Sequence, residues 1–238
     1  LRWAVELELL ERAPVVKVTI EDRPRSRAMT LEEFERMLRV AEQIEGEGPQ
    51  LHRLLRGLWH SGLRIGEIAA LSWNADASIR LEDSGKYPVV SMDAAANKSR
   101  RNRVRPILPE FWAICCESPI RKGLVFPVFD ASGQRLGSGR LSELIARVGK
   151  AACVITNWQR GKSASAHDIR RAFAVRMDGR LTLAELQKWM GHSDVSTTLT
   201  YYHTADAEAL ASKLWRAGAG GAAGGAEGEA ANRPDKGR

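Results

Sequence analysis

Helix start signals recur along this chain and favour a mainly helical fold. Thr30 precedes Glu33 by three residues, and Thr182 precedes Glu185 by the same interval. In a capping box of this kind, the threonine hydroxyl accepts the backbone N–H of the glutamate, and the carboxylate accepts that of the threonine. Together with apolar residues at helical spacing, these signals predict helices that begin at residue 30 and near residue 64, and others over about 50–60, 109–117, 138–150, 166–178, 182–190 and 204–216.

Two segments between these helices have the composition of β-strands. Residues 87–92 read YPVVSM and residues 103–107 read RVRPI. Their β-branched residues favour a hairpin or small sheet, and the turn between them is rich in basic side chains. The expected fold is therefore mainly α with a small antiparallel β-sheet, which is an α+β fold.

Composition divides the chain into three parts. Residues 1–12 resemble the end of a helix, and residues 13–28 form a linker with two prolines and three arginines. Residues 29–216 are the folded part. Residues 217–238 hold no large apolar side chain, so this Gly/Ala-rich tail cannot offset the entropy of ordering and is expected to be disordered. No apolar run approaches the ~18 residues of a membrane helix, and no secretory signal is visible.

The charge of the chain favours an anionic partner. Lysines and arginines number 36 against 29 aspartates and glutamates, which gives a formal net charge of +7. Most of the basic residues are arginines, whose planar guanidinium group fits phosphate. Nucleic acid is thus a candidate partner, although a basic enzyme without one has the same composition. The three cysteines lack the spacing of a disulfide framework or a zinc site and favour a reducing cytoplasm.

Four short segments hold the candidate functional residues. They are SGLRIGEIAAL (61–71), NKSRRNRVRPI (97–107), HDIRRAF (167–173) and MGHSDVSTTLTYYH (190–203). Each has an ordinary structural explanation when taken alone. His167 and Arg170 share a helix face because residues i and i+3 are neighbours, Gly191 can be a helix C-cap, and the two adjacent tyrosines can be half-buried rings.

The order of these residues resembles the tyrosine recombinase family, the phage integrases and their relatives. The resemblance covers about residues 29–216 and rests on Arg64 with Glu67, then Lys98, His167 with Arg170, His192 and Tyr201. It implies the fold of the recombinase catalytic domain. It also implies a site-specific DNA recombinase or integrase that cuts and rejoins DNA strands through a 3′-phosphotyrosyl intermediate.

The resemblance implies a role for each residue of this set. Tyr201 is the nucleophile, His167 acts as acid or base near it, and Lys98 protonates the leaving 5′ oxygen. Arg64 and Arg170 bind the scissile phosphate, since two guanidinium groups can clamp its two non-bridging oxygens. The supporting and DNA-contacting candidates are His192 on the phosphate, Glu67 in the acidic position that steadies the site, and Arg100, Arg101, Arg103 and Arg105 along the DNA backbone. No metal or other cofactor is implied.

Two of these assignments involve a choice between neighbours. Tyr201 lies nine residues after His192, the interval found in the family, and Tyr201-Tyr202-His203 matches the family's Tyr-x-His ending. Lys98 lies between the two predicted strands, whereas Lys86, the alternative, comes one strand too early. Tyr201 and Lys98 are therefore preferred.

The resemblance also implies partners and leaves two alternative functions open. The implied partner is double-stranded DNA, bound by a homotetramer on paired sites, with a monomer expected in its absence. Residues 1–28 would be the end of a truncated N-terminal DNA-clamping domain plus a linker, and the protein would act in the cytoplasm, associated with the nucleoid when bound to DNA. The alternatives are strand relaxation like that of a type IB topoisomerase, or a DNA-binding remnant that is inactive as truncated.

Overall fold

The computed structural model describes residues 6–8, 11, 26–44, 46–96 and 102–191. Most of residues 1–28, the predicted helix 204–216 and the predicted tail 217–238 lie outside the described residues, as do the site candidates Lys98, Arg100, Arg101, His192 and Tyr201. The described part of the chain is mainly helical and has two small antiparallel sheets. The predicted fold class is thus confirmed.

The helices follow the predicted order closely. They are α1 (Leu31–Glu42), α2 (Gly48–Ser61), α3 (Ile65–Ala70), α4 (Pro109–Cys115), α5 (Ser138–Ala151), α6 (Ala166–Met177) and α7 (Leu183–Met190). The strands are β1 (Ile79–Glu82), β2 (Val89–Met92), β3 (Arg103–Pro106), β4 (Ile155–Asn157) and β5 (Lys162–Ser163). Both capping boxes are present, with Thr30 before α1 and Thr182 before α7.

Helix α2 lies at the centre of the core. Its leucines are fully buried, and α1, α4 and α6 pack against it. Trp59 near its C-terminus stacks on Phe34 of α1, with ring centroids 4.1 Å apart and nearly parallel planes. Each buried large apolar side chain contributes about 1.5–3 kcal/mol through the surface it removes from water. The buried position of α2 therefore also fixes the position of the turn at its C-terminus, which includes Gly62 and Arg64.

The three-stranded sheet has the order β1-β2-β3 and is antiparallel throughout. Strands β2 and β3 confirm the predicted pair, whereas β1 was not predicted. The two faces of β3 are inverted relative to an ordinary amphipathic strand, since Arg105 is 3% exposed and Val104 is 64% exposed. Because side chains alternate between the faces of a strand, an acceptor on the inner side must satisfy Arg105.

The second sheet is a short hairpin of β4 and β5 that leads directly into α6. Arg27, from the end of the predicted linker, donates its backbone N–H to Thr156 O at 2.8 Å and its guanidinium to Ile155 O at 2.7 Å. The same guanidinium donates to Glu33 of α1. The last linker residues thus tie the hairpin to the first helix. Across the described ranges, every helix is too short or too polar to cross a membrane.

Candidate active site

The first element of the site is the turn between α2 and α3. Gly62 ends α2 in the left-handed conformation, with φ of 63°, and Arg64 precedes α3 in an extended conformation. The Glu67 carboxylate accepts the backbone N–H of Arg64 at 2.8 Å and its Nη1 at 2.8 Å. A carboxylate is favourable in the first turn of a helix because it faces unpaired backbone N–H groups. The local sequence alone therefore holds Arg64 beside Glu67.

Two further arginines reach the same carboxylate from distant parts of the chain. Arg105 of β3 places Nη1 3.2 Å from Glu67 Oε2 and Nη2 3.4 Å from Oε1. Arg170 of α6 places Nη1 3.8 Å from Oε2. Glu67 is therefore the point where α3, β3 and α6 meet, and the predicted phosphate-binding pair, Arg64 and Arg170, converges there.

The electrostatics of this cluster keep Glu67 ionised. Burial alone would raise the pKa of the Glu67 carboxyl. Arg105, the backbone N–H of Arg64, Arg170 and the Arg64 guanidinium together outweigh burial and hold that pKa below its ordinary value. Around neutral pH, three positive charges thus surround one negative charge, and the group as a whole is cationic.

Arg170 and Arg64 are exposed to different degrees. Arg170 is buried and donates Nη1 to Gly62 O at 2.5 Å and Nη2 to Met190 O. Its side chain therefore joins the end of α2 to the end of α7. The side chain of Arg64 is 46% exposed, so it is open to a ligand from solvent. Arg170 is fixed by the fold, whereas within the described part of the chain Arg64 is held by Glu67.

His167 lies in the first turn of α6, one helical turn before Arg170. Its side chain is exposed on one side, yet the surrounding protein removes enough water to lower its pKa below the ordinary value. The nearby cations Arg171, Arg170 and Lys162 lower that pKa further, against the opposing effect of Asp168. His167 is therefore neutral at neutral pH and able to accept a proton.

Asp168 fixes the start of α6 and with it the position of His167. Its carboxylate is buried and accepts the backbone N–H of Ser165 at 3.0 Å and Nζ of Lys162 at 3.0 Å. The Ser165 hydroxyl also donates to it at 2.6 Å. These contacts orient the first turn of the helix. The resemblance implies no role for Lys162 or Asp168, although the three-residue spacing of Ser165 and Asp168 is that of a capping box.

The basic strand β3 differs in part from expectation. Arg105 was expected along the DNA backbone, but the structure places it inside, on Glu67. Arg103 lies against Gly191, the left-handed residue that ends α7, so closely that any side chain at position 191 would collide with its guanidinium group. Arg103, which follows the predicted Lys98 turn, thus lies against Gly191, the residue before His192. The sequence of β3 does not predict a buried Arg105, because the usual alternation of polar and apolar residues would place Val104 on the inner face instead.

Comparison with known proteins gives a consistent family assignment. The sequence profile of the phage integrase family matches residues 27–208. Tyrosine recombinase XerD of Caulobacter vibrioides is 30% identical over 190 residues, which cover 77% of this chain and 59% of that protein. XerD of Brucella abortus is 32% identical over 162 residues, which cover 65% of this chain and 48% of that protein. The chain thus spans about half to three fifths of the length of these relatives.

Solved structures agree with the fold. The Tn1549 transposon integrase in complex with a circular intermediate DNA superposes with a TM-score of 0.62 at 16% identity, covering 90% of this chain and 74% of that one. The XerA recombinase superposes with a TM-score of 0.57 at 18% identity, covering 90% and 72%. Identities this low show the shared fold only. With the family profile covering most of its length, the chain belongs to the phage integrase family.

Proposed function

We propose that this chain is the catalytic part of a site-specific DNA recombinase that cuts and rejoins strands through a 3′-phosphotyrosyl link. The observation that carries the proposal is the convergence of Arg64 and Arg170, from distant elements, on the Glu67 carboxylate. Two guanidinium groups so placed can hold the two non-bridging oxygens of one phosphate. The curated relatives XerD are named tyrosine recombinases, which supports the same activity here.

The proposed chemistry uses the residues that match the ordered motifs of the family. Tyr201 Oη attacks the scissile phosphorus, and its proton passes to His167, whose lowered pKa leaves the ring neutral and ready to accept it. The bond from phosphorus to the 5′ oxygen breaks, and Lys98 gives that oxygen a proton. The 3′ phosphate stays bound to Tyr201. Attack by a 5′ hydroxyl from another strand reverses these steps, so religation needs no external energy source.

Arg64, Arg170 and His192 stabilise the phosphate through this sequence. The phosphorus passes through a phosphorane that carries more negative charge than the phosphodiester. Cationic groups held in place before the reaction therefore stabilise the transition state more than the ground state. Arg103 and the turn with Arg100 and Arg101 supply further positive charge toward the DNA backbone.

The proposed partner is double-stranded DNA, and the proposed assembly is four copies on two duplexes. The Tn1549 transposon integrase and the lambda integrase were both solved with DNA bound, and the net charge of +7 favours the same partner. Residues 1–28 would hold the end of an N-terminal DNA-clamping domain and a linker, and the reaction would take place in the cytoplasm. Light scattering without DNA is expected to give the mass of a monomer; a stable tetramer without DNA would contradict the expectation that DNA brings the four copies together.

A trapped covalent adduct tests the activity. Duplexes that carry the binding site are selected from a random library with the full-length protein, then nicked so that the cleaved 5′ strand diffuses away. Tyr201→Phe is expected to abolish the 3′-linked adduct and to leave DNA affinity nearly unchanged, because one hydroxyl adds little to phosphate-dominated binding. Tyr202→Phe is the matched control and should keep the adduct. The reverse pattern, or relaxation of plasmids without the site, would contradict the proposal.

A modified substrate tests the general acid. Lys98→Ala should slow cleavage of an ordinary phosphodiester by about 100-fold, a typical contribution of a positioned acid. A 5′-bridging phosphorothiolate should restore the rate, because its thiolate leaves without a proton. Lys86→Ala is the matched control, since Lys86 lies beside Tyr87 before β2 and should change neither rate. Slow cleavage of both substrates by Lys98→Ala would reject the acid role.

A further inference from the structure

We propose that Arg105 is a positioning residue of the phosphate-binding site, which neutralises Glu67 and so leaves Arg64 and Arg170 with their positive charge available to DNA. The inference rests on the proposed function, because it takes Arg64 and Arg170 as the phosphate-binding pair. It assigns to Arg105 a role through Glu67, without direct contact with the phosphate.

The geometry shows that Arg105 is committed to Glu67. Its two Nη atoms lie 3.2 and 3.4 Å from the two carboxylate oxygens. Arg64 contacts Oε1 at 2.8 Å, and Arg170 stays 3.8 Å from Oε2 while it donates to the carbonyl of Gly62. Arg105 therefore occupies both oxygens from the inner side, whereas Arg170 donates to the backbone carbonyls of Gly62 and Met190.

The placement of Arg105 is costly and is not explained by packing. The side chain is 3% exposed, and among the described residues no acceptor reaches its Nε. A buried polar atom without a partner destabilises a fold. Buried ion pairs can often be replaced by apolar residues of similar size with little loss of stability or a gain. Because Val104, next to it on β3, faces solvent, an apolar side chain was available for the inner face.

The charge balance gives Arg105 its function. Glu67 is needed to cap α3 and hold Arg64, yet its negative charge would cancel one of the two phosphate-binding cations. With Arg105 present, the three guanidinium groups and the one carboxylate of this cluster of four described residues sum to a charge of +2. A phosphodiester carries one negative charge, and the phosphorane formed by a tyrosinate carries two. The cluster therefore matches the charge of the transition state only when Arg105 is present.

A double-mutant cycle with Arg105→Met and Glu67→Gln tests this role. Glutamine can still accept the backbone N–H of Arg64 but has no charge for Arg105 to neutralise. The first measurement is the affinity for inorganic phosphate. Binding that persists in the Arg64→Ala variant is subtracted, because it occurs at other sites. The second measurement is the single-turnover rate of adduct formation on the selected duplex. Arg80→Met is the matched control, because Arg80 lies on β1 of the same sheet and pairs with Glu82 and Asp93.

The expected result is strong coupling between the two positions. With Glu67 present, Arg105→Met should weaken phosphate binding by about 10-fold to 30-fold, because the carboxylate without Arg105 draws the guanidinium groups of Arg64 and Arg170 away from the phosphate, a coupling of the size found within one salt-bridge network. It should slow adduct formation at least as much, while affinity for the duplex changes by less than about threefold because many other phosphate contacts remain. In the Glu67→Gln background no carboxylate competes for Arg64 and Arg170, so the same substitution should cost less than about threefold in either measurement. Arg80→Met should change neither.

Each outcome decides between the two proposals. Equal losses from Arg105→Met in both backgrounds would show that Arg105 does not act through Glu67, which would overturn this proposal and leave the recombinase activity intact. A wild-type protein without a Tyr201 adduct would reject the activity, while the phosphate cycle would still report on Arg105. Arg105→Lys keeps the charge and guards against a folding defect of the methionine variant. It should retain phosphate affinity to within about threefold, and a loss as large as that of Arg105→Met would also overturn the proposal.

Discussion

Replacement of Gly62 by alanine should destabilise the protein strongly, because this residue combines an unusual backbone conformation with a crowded position. Its φ is 63°, and a Cβ atom would lie 2.8 Å from Cε1 and 2.9 Å from Cγ of Phe173, with Cδ1 closer still. An L-residue in the left-handed conformation costs about 1–2 kcal/mol. Phe173 is fully buried beside Met177 and Leu186, so its ring cannot turn away freely, and overpacking adds about 1–3 kcal/mol.

The expected net loss is about 2–4 kcal/mol of the free energy of unfolding, after a gain of about 0.4–1 kcal/mol from the stiffer unfolded chain. Urea unfolding followed by circular dichroism measures it. Gly161→Ala separates the two effects, because Gly161 has φ of 58° and open space around its Cβ position. It should lose only about 1 kcal/mol. Gly66→Ala, in a helix with open space, should gain about 0.5–1 kcal/mol.

Gly62→Ala should also impair catalysis beyond its effect on stability. The Gly62 carbonyl accepts Arg170 Nη1, and Arg64 follows two residues later. A turn displaced by the Phe173 ring therefore moves both phosphate-binding arginines, and adduct formation should fall more than about tenfold at temperatures where the variant is folded. If Gly62→Ala loses no more stability than Gly161→Ala, Phe173 does not lie against this turn and the reasoning is refuted.

Three further predictions concern the core and the response to acid. Trp59→Ala should lower the free energy of unfolding by about 3–5 kcal/mol, whereas Trp158→Ala, at a site 70% exposed, should change it by less than about 0.5 kcal/mol in the same urea titration. Acid should destabilise the fold in two stages. Burial lowers the pKa of His60 and of His167 below 6.5, so the unfolded chain binds protons first as the pH falls below that value, and the urea midpoint should drop; His60→Gln should reduce this stage. Glu67 has a folded pKa below 4.5, so its stabilisation is present above that pH and is lost as the pH falls through the folded pKa; Glu67→Gln should reduce the slope there.

The helix boundaries were predictable because their signals are local. The capping boxes at Thr30 and Thr182 join residues three apart, and each helix begins at the next residue. Gly191 ends α7 as predicted for a C-cap glycine. Such contacts form within one turn of helix, so they depend little on the rest of the chain.

The strands were harder to predict because each holds at most four residues, too few to show a clear alternation of polar and apolar side chains. Strand β1 went unrecognised, although it completes the sheet by pairing with β2. The hairpin of β4 and β5 holds so few residues that alternation cannot be seen. Strand β2 begins at Val89 and not at Tyr87, which is exposed. Propensity in strands reflects cross-strand packing, which only the folded chain provides.

The sequence by itself determined the family and the local half of the candidate site. Arg64 and Glu67 are three residues apart at the start of a helix, and so are His167 and Arg170, so each pair is fixed by helix geometry. Only the tertiary structure decided that these pairs meet, because Arg170 reaches Glu67 through the packing of α6 on α2. The inward orientation of Arg105 is also set by the tertiary structure alone. The buried carboxylate of Glu67, on another element, pairs with an arginine that strand alternation would place in solvent.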